Sequence, residues 1–543
     1  MRLTERSRFD IGRGVTATTF EERLQALESQ FAAHVSKLER ERDDYRKLVL
    51  LLQEENERLK RGLLGQKAER LPKNDAQLSL AMLGMMVGGA PVEEDAPKPE
   101  PEQVVGEHTR KRPVRKAFDE EWPRVNIEIL PPEVQRDGLD AFEVVGADSR
   151  EVVERRPAST VVVRLVYKKF VRKDRARNGP TDVLRAEAVE LPIPRGIAGP
   201  GLLADTIVRR WQDHQPLNRL EGIYAREGLP LAKSTICTWH DELAELARPL
   251  VKAMFADALS APYLCVDATG VLVQAPERCR NGHFWVVVAP EKHVLYGYSK
   301  RHDSAATDEL LGGFKGYLVA DAHTVYDHLY ATGDVIEVGC WAHCRRYFFK
   351  ALASEPERAK AALSHIGALF ALERTIADSP RKKKEEVRRA KSRPIVDRFF
   401  EWCDAHADTL LDESPLSDGI RYARNQRVAL RRFLDDGRLP LHNNISELNL
   451  RRQVVGRRNW LFVGSDEGAE VNTIFVSLLA SCRLHDIEPL GYVRDLLCLL
   501  PSWPRTRLLE LAPANWRQTL EQPETQEKLL RNVFRRVLLS PPS

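Results

Sequence analysis

The feature that most constrains the fold is a change in hydrophobic pattern near residue 260. Three short apolar runs follow one another, separated by turn residues: PYLCVDATGVLVQ, HFWVVVAP and HVLYGYS. Short apolar runs bounded by turn residues predict strands. Two further segments, GYLVADAHTVYDHL and DVIEVGCWAHCRRYFFKAL, each predict a strand that leads into a helix. The pattern therefore predicts an α/β domain built on one sheet.

Two aspartates interrupt these apolar runs. Asp267 lies within the first predicted strand and Asp321 ends the fourth. A buried carboxylate is costly unless it is paired or binds a cation, so two on adjacent core strands predict a shared site, which Glu447 on a later helix could complete. Any one of these acids could instead be a turn residue or half of a salt bridge. The ordered set favours the site.

The order of strands and acids matches a ribonuclease H-like fold, whose sheet presents carboxylates to two Mg²⁺ ions. Mg²⁺ prefers hard oxygen ligands, so aspartate and glutamate suit it and histidine and cysteine do not. Two such ions about 4 Å apart can activate a water or a 3′-hydroxyl and stabilise the departing oxygen at phosphorus. The predicted chemistry is therefore phosphoryl transfer.

Length and composition set the broad class. A chain of 543 residues predicts roughly three or four domains. Hydrophobic residues make up 43% and charged residues 30%, and no window approaches the ~20 uncharged apolar residues of a membrane helix. The N-terminal residues lack the apolar segment of a signal peptide, which predicts a cytoplasmic, nucleoid-associated protein without membrane contact. Eight cysteines, the first at Cys237, imply no disulfide framework.

The net charge of +4 is mild, but the charges separate locally. HTRKRPVRK and RKKKEEVRRAKSR are basic, whereas PVEEDAPKPEPEQ is an acidic, proline-rich linker. Basic runs are usually solvated helix faces, yet several in one chain favour a phosphate-rich partner.

The N-terminal region carries a heptad repeat. Its apolar positions, seven residues apart, are Leu24, Phe31, Leu38, Tyr45, Leu52 and Leu59. This seam, with Asn56 at an inner position, predicts a coiled coil over residues 1–67 that forms a parallel homodimer or a higher homo-oligomer. The alternative is one amphipathic helix lying on the protein's own core. Residues 68–122, rich in Met, Gly and Pro, are interpreted as a flexible linker.

Residues 123–194 are predicted to form a small β-rich module from STVVVRLVYKKFVRK and VLRAEAVELPI. It contains no cysteine, so no zinc ribbon is expected there. Residues 195–258 are interpreted as a helical DNA-binding region with a helix-turn-helix, in which Ser234 caps the second helix. An ordinary helical hairpin is the alternative.

The rest of the chain divides around the predicted sheet. Residues 259–351 form the first part of the catalytic domain, 352–440 a helical insertion, 441–485 the second part and 486–543 a C-terminal helical tail. The fold class is thus multidomain α/β: N-terminal coiled coil, small β-rich module, helix-turn-helix region and a ribonuclease H-like catalytic domain with a helical insertion.

Four segments carry a resemblance to a known family: HNNISELNLRRQVVGRRNWLFVGSDEG, GCWAHCRRYFF, DHQPLNRLEGIYAREGLPLAKSTICTW and GQKAERL. They resemble blocks of the insertion sequence 66 family of transposases. The resemblance implies a DDE transposase that cleaves the ends of its mobile element and joins the 3′-hydroxyls to target DNA. It also implies Mg²⁺ or Mn²⁺ as cofactor, the terminal repeats and target as double-stranded DNA partners, and small accessory proteins.

By this resemblance the catalytic and metal-binding triad is Asp267, Asp321 and Glu447, with spacings of 321 − 267 = 54 and 447 − 321 = 126 residues. Other positions in the matched blocks, or at the start of the predicted recognition helix, are interpreted as DNA-binding. They are Arg226, Lys233, Ser234, Thr235, His343, Arg346, Asn444, Arg451, Arg452, Arg457 and Arg458.

The sequence also departs from the family pattern. The usual cysteine-rich zinc segment before the helix-turn-helix is absent, and Asp321 is followed by Ala and His rather than Gly and Tyr. The CWAHC group offers Cys340, His343 and Cys344, but its spacing favours a core-packed helix start over a metal site. No zinc is therefore expected.

Two other functions compete with the transposase. One is a transposase-derived DNA-binding regulator without strand chemistry, which the loss of a carboxylate would favour. The other is a ribonuclease H-like nuclease that cuts without joining. Because all three acids are present, the sequence favours the enzyme over the regulator.

Overall fold

The computed structural model describes Val35 and residues 123–156, 159–174, 183–408 and 414–539. The chain divides into two compact units. The larger comprises Val114–His343, Leu369–Val396 and Asn425–Ser543, and the smaller comprises Met1–Pro113, Cys344–Ala368 and Asp397–Arg424. Val35 is helical, and the remainder of the predicted coiled coil and linker lies outside the described residues.

The first sheet has four strands. They are β1 (Arg124–Ile129), β2 (Phe142–Arg156), β3 (Ser159–Arg172) and β4 (Leu184–Arg185), with α1 (Pro132–Asp137) after β1. The order is β1-β3-β2, with β4 also on β3; β1 runs parallel to β3, and β2 and β4 run antiparallel to it. The predicted β-rich module contains strands, but VLRAEAVELPI contributes only the two residues of β4. The charged β2 was not foreseen.

Three helices follow the first sheet: α2 (Pro200–Ile207), α3 (Leu217–Arg226) and α4 (Lys233–Ala258). Gly228, with φ of 83°, reverses the chain between α3 and α4. The order helix, turn, helix agrees with the prediction. The predicted cap is wrong: Ala232 precedes α4 without a side-chain cap, so Ser234 lies inside the first turn.

A buried glutamate joins β2 to α2. Glu154 is 1% exposed, and its Oε1 accepts hydrogen bonds from the backbone N–H of Arg155 (2.7 Å) and Leu202 (3.0 Å). Burial raises the pKa of this carboxyl to about 8, outweighing the backbone hydrogen bonds and the charge of Arg494. A Cβ at Gly201 would collide with the Glu154 carboxylate and the Arg155 carbonyl oxygen, so this close approach requires glycine.

The second sheet has five strands. They are β5 (Tyr263–Val273), β6 (Arg280–Ala289), β7 (His293–Ser299), β8 (Gly316–Val319) and β9 (Val335–Val338), with α5 (Ser304–Leu311) after β7 and α6 (Asp327–Ala331) after β8. The order is β7-β6-β5-β8-β9: β5 to β7 form an antiparallel meander, and β8 and β9 run parallel to β5. All five predicted strands are confirmed. Asp321 was predicted to end the fourth strand, but it lies two residues beyond β8.

The residues after β9 are helical, as predicted. The helices are α7 (Trp341–Lys350), α8 (Pro356–Thr375), α9 (Arg381–Val387), α10 (Arg393–Ala407), α11 (Pro415–Asn425) and α12 (Arg427–Arg431). In the smaller unit, the Phe348 ring packs edge-on against Phe399, with centroids 5.7 Å apart. In the larger unit, the buried guanidinium of Arg388 pairs with Glu373, Nη2 to Oε2 being 2.7 Å.

Two long helices complete the surroundings of the second sheet: α13 (Asn444–Trp460) and α14 (Asp466–Leu484). Helix α14 covers the edge strand β7. The β7 backbone N–H groups of Val294 and Tyr296 donate to the hydroxyls of Ser481 (3.1 Å) and Ser477 (2.8 Å). This edge therefore does not present those donors to another strand.

The C-terminal residues return to the first sheet. Helices α15 (Pro489–Leu499), α16 (Trp516–Glu521), α17 (Pro523–Arg531) and α18 (Val533–Leu539) follow one another. Phe534 and Val537 of α18 join the core cluster of Val161, Val163 and Leu165 on β3. Among the described residues, no helix is long and apolar enough to cross a membrane.

Candidate active site

The two aspartates lie at the same level of adjacent parallel strands. Cys265 of β5 is in register with Val319 of β8, and Asp267 and Asp321 each lie two residues further along. Both side chains are partly buried. Asp267 Oδ1 accepts a hydrogen bond from the backbone N–H of Ala268 at 2.8 Å. The parallel register, rather than sequence proximity, brings the two acids to one end of the sheet.

The charges of both aspartates affect the pKa of a buried tyrosine. Tyr326 lies in the short 3₁₀ turn after Asp321, is 1% exposed, and packs edge-on against Trp285 of β6 with centroids 6.3 Å apart. Burial raises the pKa of its phenol well above the ordinary value, and the charges of Asp321 and Asp267 raise it further. The two carboxylates therefore act on one buried group.

Glu447 reaches this end of the sheet through the first turn of α13. Asn443, fully buried before α13, donates from Nδ2 to the backbone carbonyl of Val266 at 2.8 Å, next to Asp267. Its backbone N–H donates to Cys340 Sγ at 3.2 Å, just after β9. One turn along, Glu447 Oε1 lies 3.5 Å from His343 Nε2, with the two side chains 22% and 18% exposed. The start of α13 is thus fastened to both β5 and β9.

Asp267, Asp321 and the start of α13 therefore all lie at the carboxyl ends of the parallel strands. The described residues nevertheless contain no group of three or more His, Cys, Asp or Glu side chains close enough to hold one metal ion. The donors are all carboxylate oxygens, the chemistry that Mg²⁺ and Mn²⁺ select. The donor set fits these ions, although the side chains are not drawn together around a single point.

A histidine cluster beside the aspartates was missed from the sequence. The ring of His302 stacks on Trp285 at 4.8 Å and lies 4.5 Å from His323 and 5.2 Å from His283, between ring centroids. Burial lowers the pKa of His302, and His323 and His283 lower it further, whereas Asp321 opposes them. These histidines come from three separate segments, so no local motif marks them.

The arginines of α13 differ in their surroundings. Arg451 and Arg458 are exposed. Arg452 donates to the side-chain oxygen of Gln212 at 3.4 Å. Arg457 donates to Thr269 Oγ1 at 3.0 Å and to the carbonyl of Gly270, which ties α13 to β5. Of the four, Arg451 and Arg458 are the most accessible to a polyanion.

The other predicted DNA-binding residues lie at helix ends. Arg226 ends α3, and Lys233, Ser234 and Thr235 begin α4; of these four, only Thr235 is partly buried. Asn444 begins α13 and is exposed, and its backbone N–H donates to His442 Nδ1 at 3.3 Å. Arg346 lies on α7 and is exposed.

The CWAHC group forms the start of α7, as the sequence favoured. Cys340 and Trp341 are fully buried, and so is Cys344. Trp341 Nε1 donates to the Leu430 carbonyl at 2.8 Å. The group packs in the core, apart from the partly buried His343.

A mixed sheet with acidic side chains gathered at one end, beside an arginine-rich helix, is typical of a nucleic-acid-processing enzyme. The sequence model of the family described as "Transposase IS66 family" matches residues 195–471, more than half of the chain and inclusive of Asp267, Asp321 and Glu447. The chain belongs to this family of transposases. A second model, described as "Transposase C of IS166 homeodomain", matches residues 51–127, most of which lie outside the described residues.

Curated relatives match over most of their length. The uncharacterized protein y4hP of Sinorhizobium fredii (strain NBRC 101917 / NGR234) is 29% identical over 500 residues, covering 87% of this chain and 89% of the relative. The uncharacterized protein y4qI of the same strain is 27% identical over 470 residues, covering 82% and 85%. A third, y4jD, is 25% identical over 494 residues, covering 87% and 95%.

Proposed function

We propose that the chain is a DDE transposase that cleaves the DNA ends of an insertion sequence and transfers the strands to target DNA. The observation that carries the proposal is the convergence of Asp267, Asp321 and the first turn of α13 at one end of the second sheet. The strand order β7-β6-β5-β8-β9, with β5 to β7 antiparallel and β8 and β9 parallel to β5, supports a ribonuclease H-like catalytic domain.

In this proposal Asp267, Asp321 and Glu447 would hold two Mg²⁺ or Mn²⁺ ions. When bound, such ions supply a stronger nucleophile and stabilise the departing oxygen during in-line attack at phosphorus. Water attacks the phosphorus and releases the 3′-hydroxyl in cleavage. That hydroxyl attacks a target phosphorus in transfer, and the target 3′-oxygen leaves.

Neighbouring residues position the acids. The Asn443 side chain fixes α13 to β5 beside Asp267, and His343 lies against the Glu447 carboxylate. Tyr326 lies buried close enough to the two aspartates for their charges to raise the pKa of its phenol. These residues orient carboxylates before an ion binds, which lowers the reorganisation needed at the transition state.

DNA contact is proposed for the exposed cations around the site. Arg451 and Arg458 on α13 would bind phosphates near the acids, and Arg226 and Lys233 would contact the terminal repeats. Self-association through residues 1–67, action on DNA in the cytoplasm and the use of accessory proteins belong to the same proposal. The domain boundaries predicted from the sequence are part of it too.

The test is a Mg²⁺- or Mn²⁺-dependent cleavage and strand-transfer assay on DNA that carries the ends of the encoding element. The full chain is compared with Glu447→Gln and with Glu521→Gln, an exposed glutamate at the end of α16. We expect cleaved and joined products from the wild type and the control, and neither product from Glu447→Gln, with DNA binding retained in all three.

Each alternative gives a distinct outcome. Cleavage without joined 3′ ends identifies a nuclease. DNA binding without chemistry in the wild type, with accessory proteins of the element supplied, identifies a regulator. Equal cleavage by Glu447→Gln removes this residue from the site.

A further inference from the structure

The segment after α13 contains a strained leucine. Leu461 has φ of 64° and ψ of −50°, and the Phe462 backbone N–H donates to the Trp460 carbonyl at 2.8 Å. These values describe a γ-turn with positive φ, a rare and strained turn for a side-chain-bearing residue. Such strain persists only where the surrounding structure enforces it.

The residues on either side enforce the turn. Trp460 and Val463 pack against the core cluster of Val271, Val273 and Phe284. The Val463 N–H donates to the Leu272 carbonyl, and its carbonyl accepts from the Gln274 N–H, both at 2.8 Å. The chain is therefore anchored immediately before and after the turn.

Between these anchors, two large apolar side chains face solvent. Leu461 is 67% exposed and Phe462 is 42% exposed, and Leu272 on the adjoining strand end is 45% exposed. A soluble protein gains by burying such groups, so a rigid turn that holds them outward indicates a binding surface. We call Leu461 and Phe462 the apolar wedge.

The charges around the apolar wedge suit a polyanion. Arg458, in the last turn of α13, and Arg278, in the loop after β5, are exposed. Of the acids in the same two segments, Asp466 is bonded by Arg280 and by Lys300, whose Nζ lies 3.2 Å from Oδ2, and Glu277 and Glu467 are exposed. Exposed cations beside an outward leucine and phenylalanine match proteins that contact DNA phosphates and insert apolar side chains between base steps.

We propose that the apolar wedge inserts between base pairs of the duplex bound by this chain and unstacks one step. From Glu447 to Trp460 there are 13 residues of helix, or about 20 Å, which corresponds to about six base steps along DNA. If α13 runs along the duplex axis, the wedge acts about six base pairs from the phosphate at the acidic site. The proposal rests on the proposed function for its partner, DNA.

The experiment uses the full chain without divalent metal, in EDTA, so that no cleavage occurs. Short duplexes from the boundary of the encoding element carry the fluorescent base 2-aminopurine at successive positions. Fluorescence reports unstacking and anisotropy reports binding. Leu461→Ala, Phe462→Ala and the double variant are compared with Leu530→Ala, a control leucine that is 66% exposed on α17.

We expect wild type and Leu530→Ala to raise fluorescence at one or two adjacent positions. The double variant should show no rise in 2-aminopurine fluorescence. Its affinity for the duplex should fall about tenfold, which is the effect expected from the loss of one contact with a base. Leu461→Gly separates insertion from folding: glycine accepts positive φ, so its melting temperature stays equal or rises while the fluorescence rise falls.

Other outcomes overturn the proposal. DNA binding with no fluorescence rise at any position in the wild type excludes unstacking but leaves cleavage intact. A rise that survives in the double variant removes these two residues from it. If the wedge variants change self-association in sedimentation but keep the fluorescence rise, the surface is a contact between copies of this chain. Absence of binding to every duplex overturns the wedge, whereas loss of cleavage alone concerns only the proposed chemistry.

Discussion

The two sheets place acidic side chains in opposite environments. On the first sheet, Glu154 is 1% exposed, and among the described residues its Oε2 has no hydrogen-bond partner. On the second sheet, Asp267 and Asp321 are partly exposed at the strand ends. One carboxyl is sealed between a strand and a helix, and the others remain open to solvent.

The difference shows what burial does to a carboxyl group. With a pKa of about 8, Glu154 is mostly protonated at neutral pH, and a neutral acid is a poor ligand for a divalent cation. Partial exposure leaves the acids of the second sheet accessible to an ion from solvent. The buried carboxyl of Glu154 is therefore suited to a structural role, and the partly exposed carboxylates of the second sheet are suited to binding a cation.

The largest expected effect comes from Asp321→Asn. If Asp321 holds a metal ion, cleavage should fall by about a thousandfold or more, equivalent to several kcal/mol of lost transition-state stabilisation. Mn²⁺ should raise the melting temperature of the wild type, because a ligand of the native state stabilises it, and should raise that of the variant less. Asp308→Asn, an exposed aspartate on α5, is the control.

The free energy of unfolding should change much less than the cleavage rate does. In the absence of metal, Asp321→Asn should change the free energy of unfolding by less than about 1 kcal/mol, since the side chain is partly exposed. If Asp321→Asn strongly destabilises the chain in the absence of metal, Asp321 has a structural role like that of Glu154. The two sheets would then not differ in the role of their acids.

The second prediction concerns pH. Glu154 holds its proton in the folded chain up to about pH 8, whereas in the unfolded chain it ionises near its ordinary value of 4.5. The unfolded state therefore binds fewer protons between these values, so this stability is full below 4.5 and is lost as pH rises through about 8. The loss should be about 5 kcal/mol. Urea unfolding at several pH values should show a flatter profile for Glu154→Gln, and an unchanged slope would reject the assignment.

The third prediction tests the close packing around Glu154. Gly201→Ala should destabilise the larger unit by about 3 kcal/mol, because the new Cβ meets the Glu154 carboxylate and the Arg155 carbonyl. Gly270→Ala on β5 is the matched control, since nothing lies within 4 Å of its Cβ position. Thermal melting of both variants measures the effect. Equal melting temperatures would show that the β2–α2 junction relaxes without cost.

The smallest expected effect is that of Asn443→Ala, at about 1 to 2 kcal/mol of unfolding free energy, because the buried Val266 carbonyl loses its donor. Cleavage should fall further than this stability change explains, since α13 is no longer held beside Asp267. Ser502→Ala, at an exposed position that ends a 3₁₀ turn near the C-terminus, serves as comparison. Unchanged cleavage at full folding would assign Asn443 a packing role alone.

Much of the second sheet could be predicted from sequence because each strand is a short apolar run with local boundaries. β2 could not, since its run of charged residues lacks the alternation that marks a strand. The cap of α4 was misassigned because Ser234 is a favourable capping residue, but the turn after Gly228 starts the helix two residues earlier.

For the candidate site, sequence identified the acids but not their surroundings. Asp267, Asp321 and Glu447 stand in recognisable sequence blocks. Tyr326 and His302 could not be identified in the same way, because their contacts with Trp285 and with other histidines join distant segments. Arg457 looked like a DNA contact, yet it bonds Thr269 and Gly270 on β5. Contacts between distant segments leave no local pattern, so they appear only in the folded chain.

The packing of α14 over the edge strand β7 has a consequence for genes that encode a truncated chain. Ser477 and Ser481, which accept from the β7 backbone, lie on α14, the helix that follows the one carrying Glu447. A chain cut short before residue 444 would lose the third acid and also leave an open strand edge, which invites aggregation and degradation. Truncation should therefore yield no lasting protein, rather than an inactive competitor for the same DNA ends.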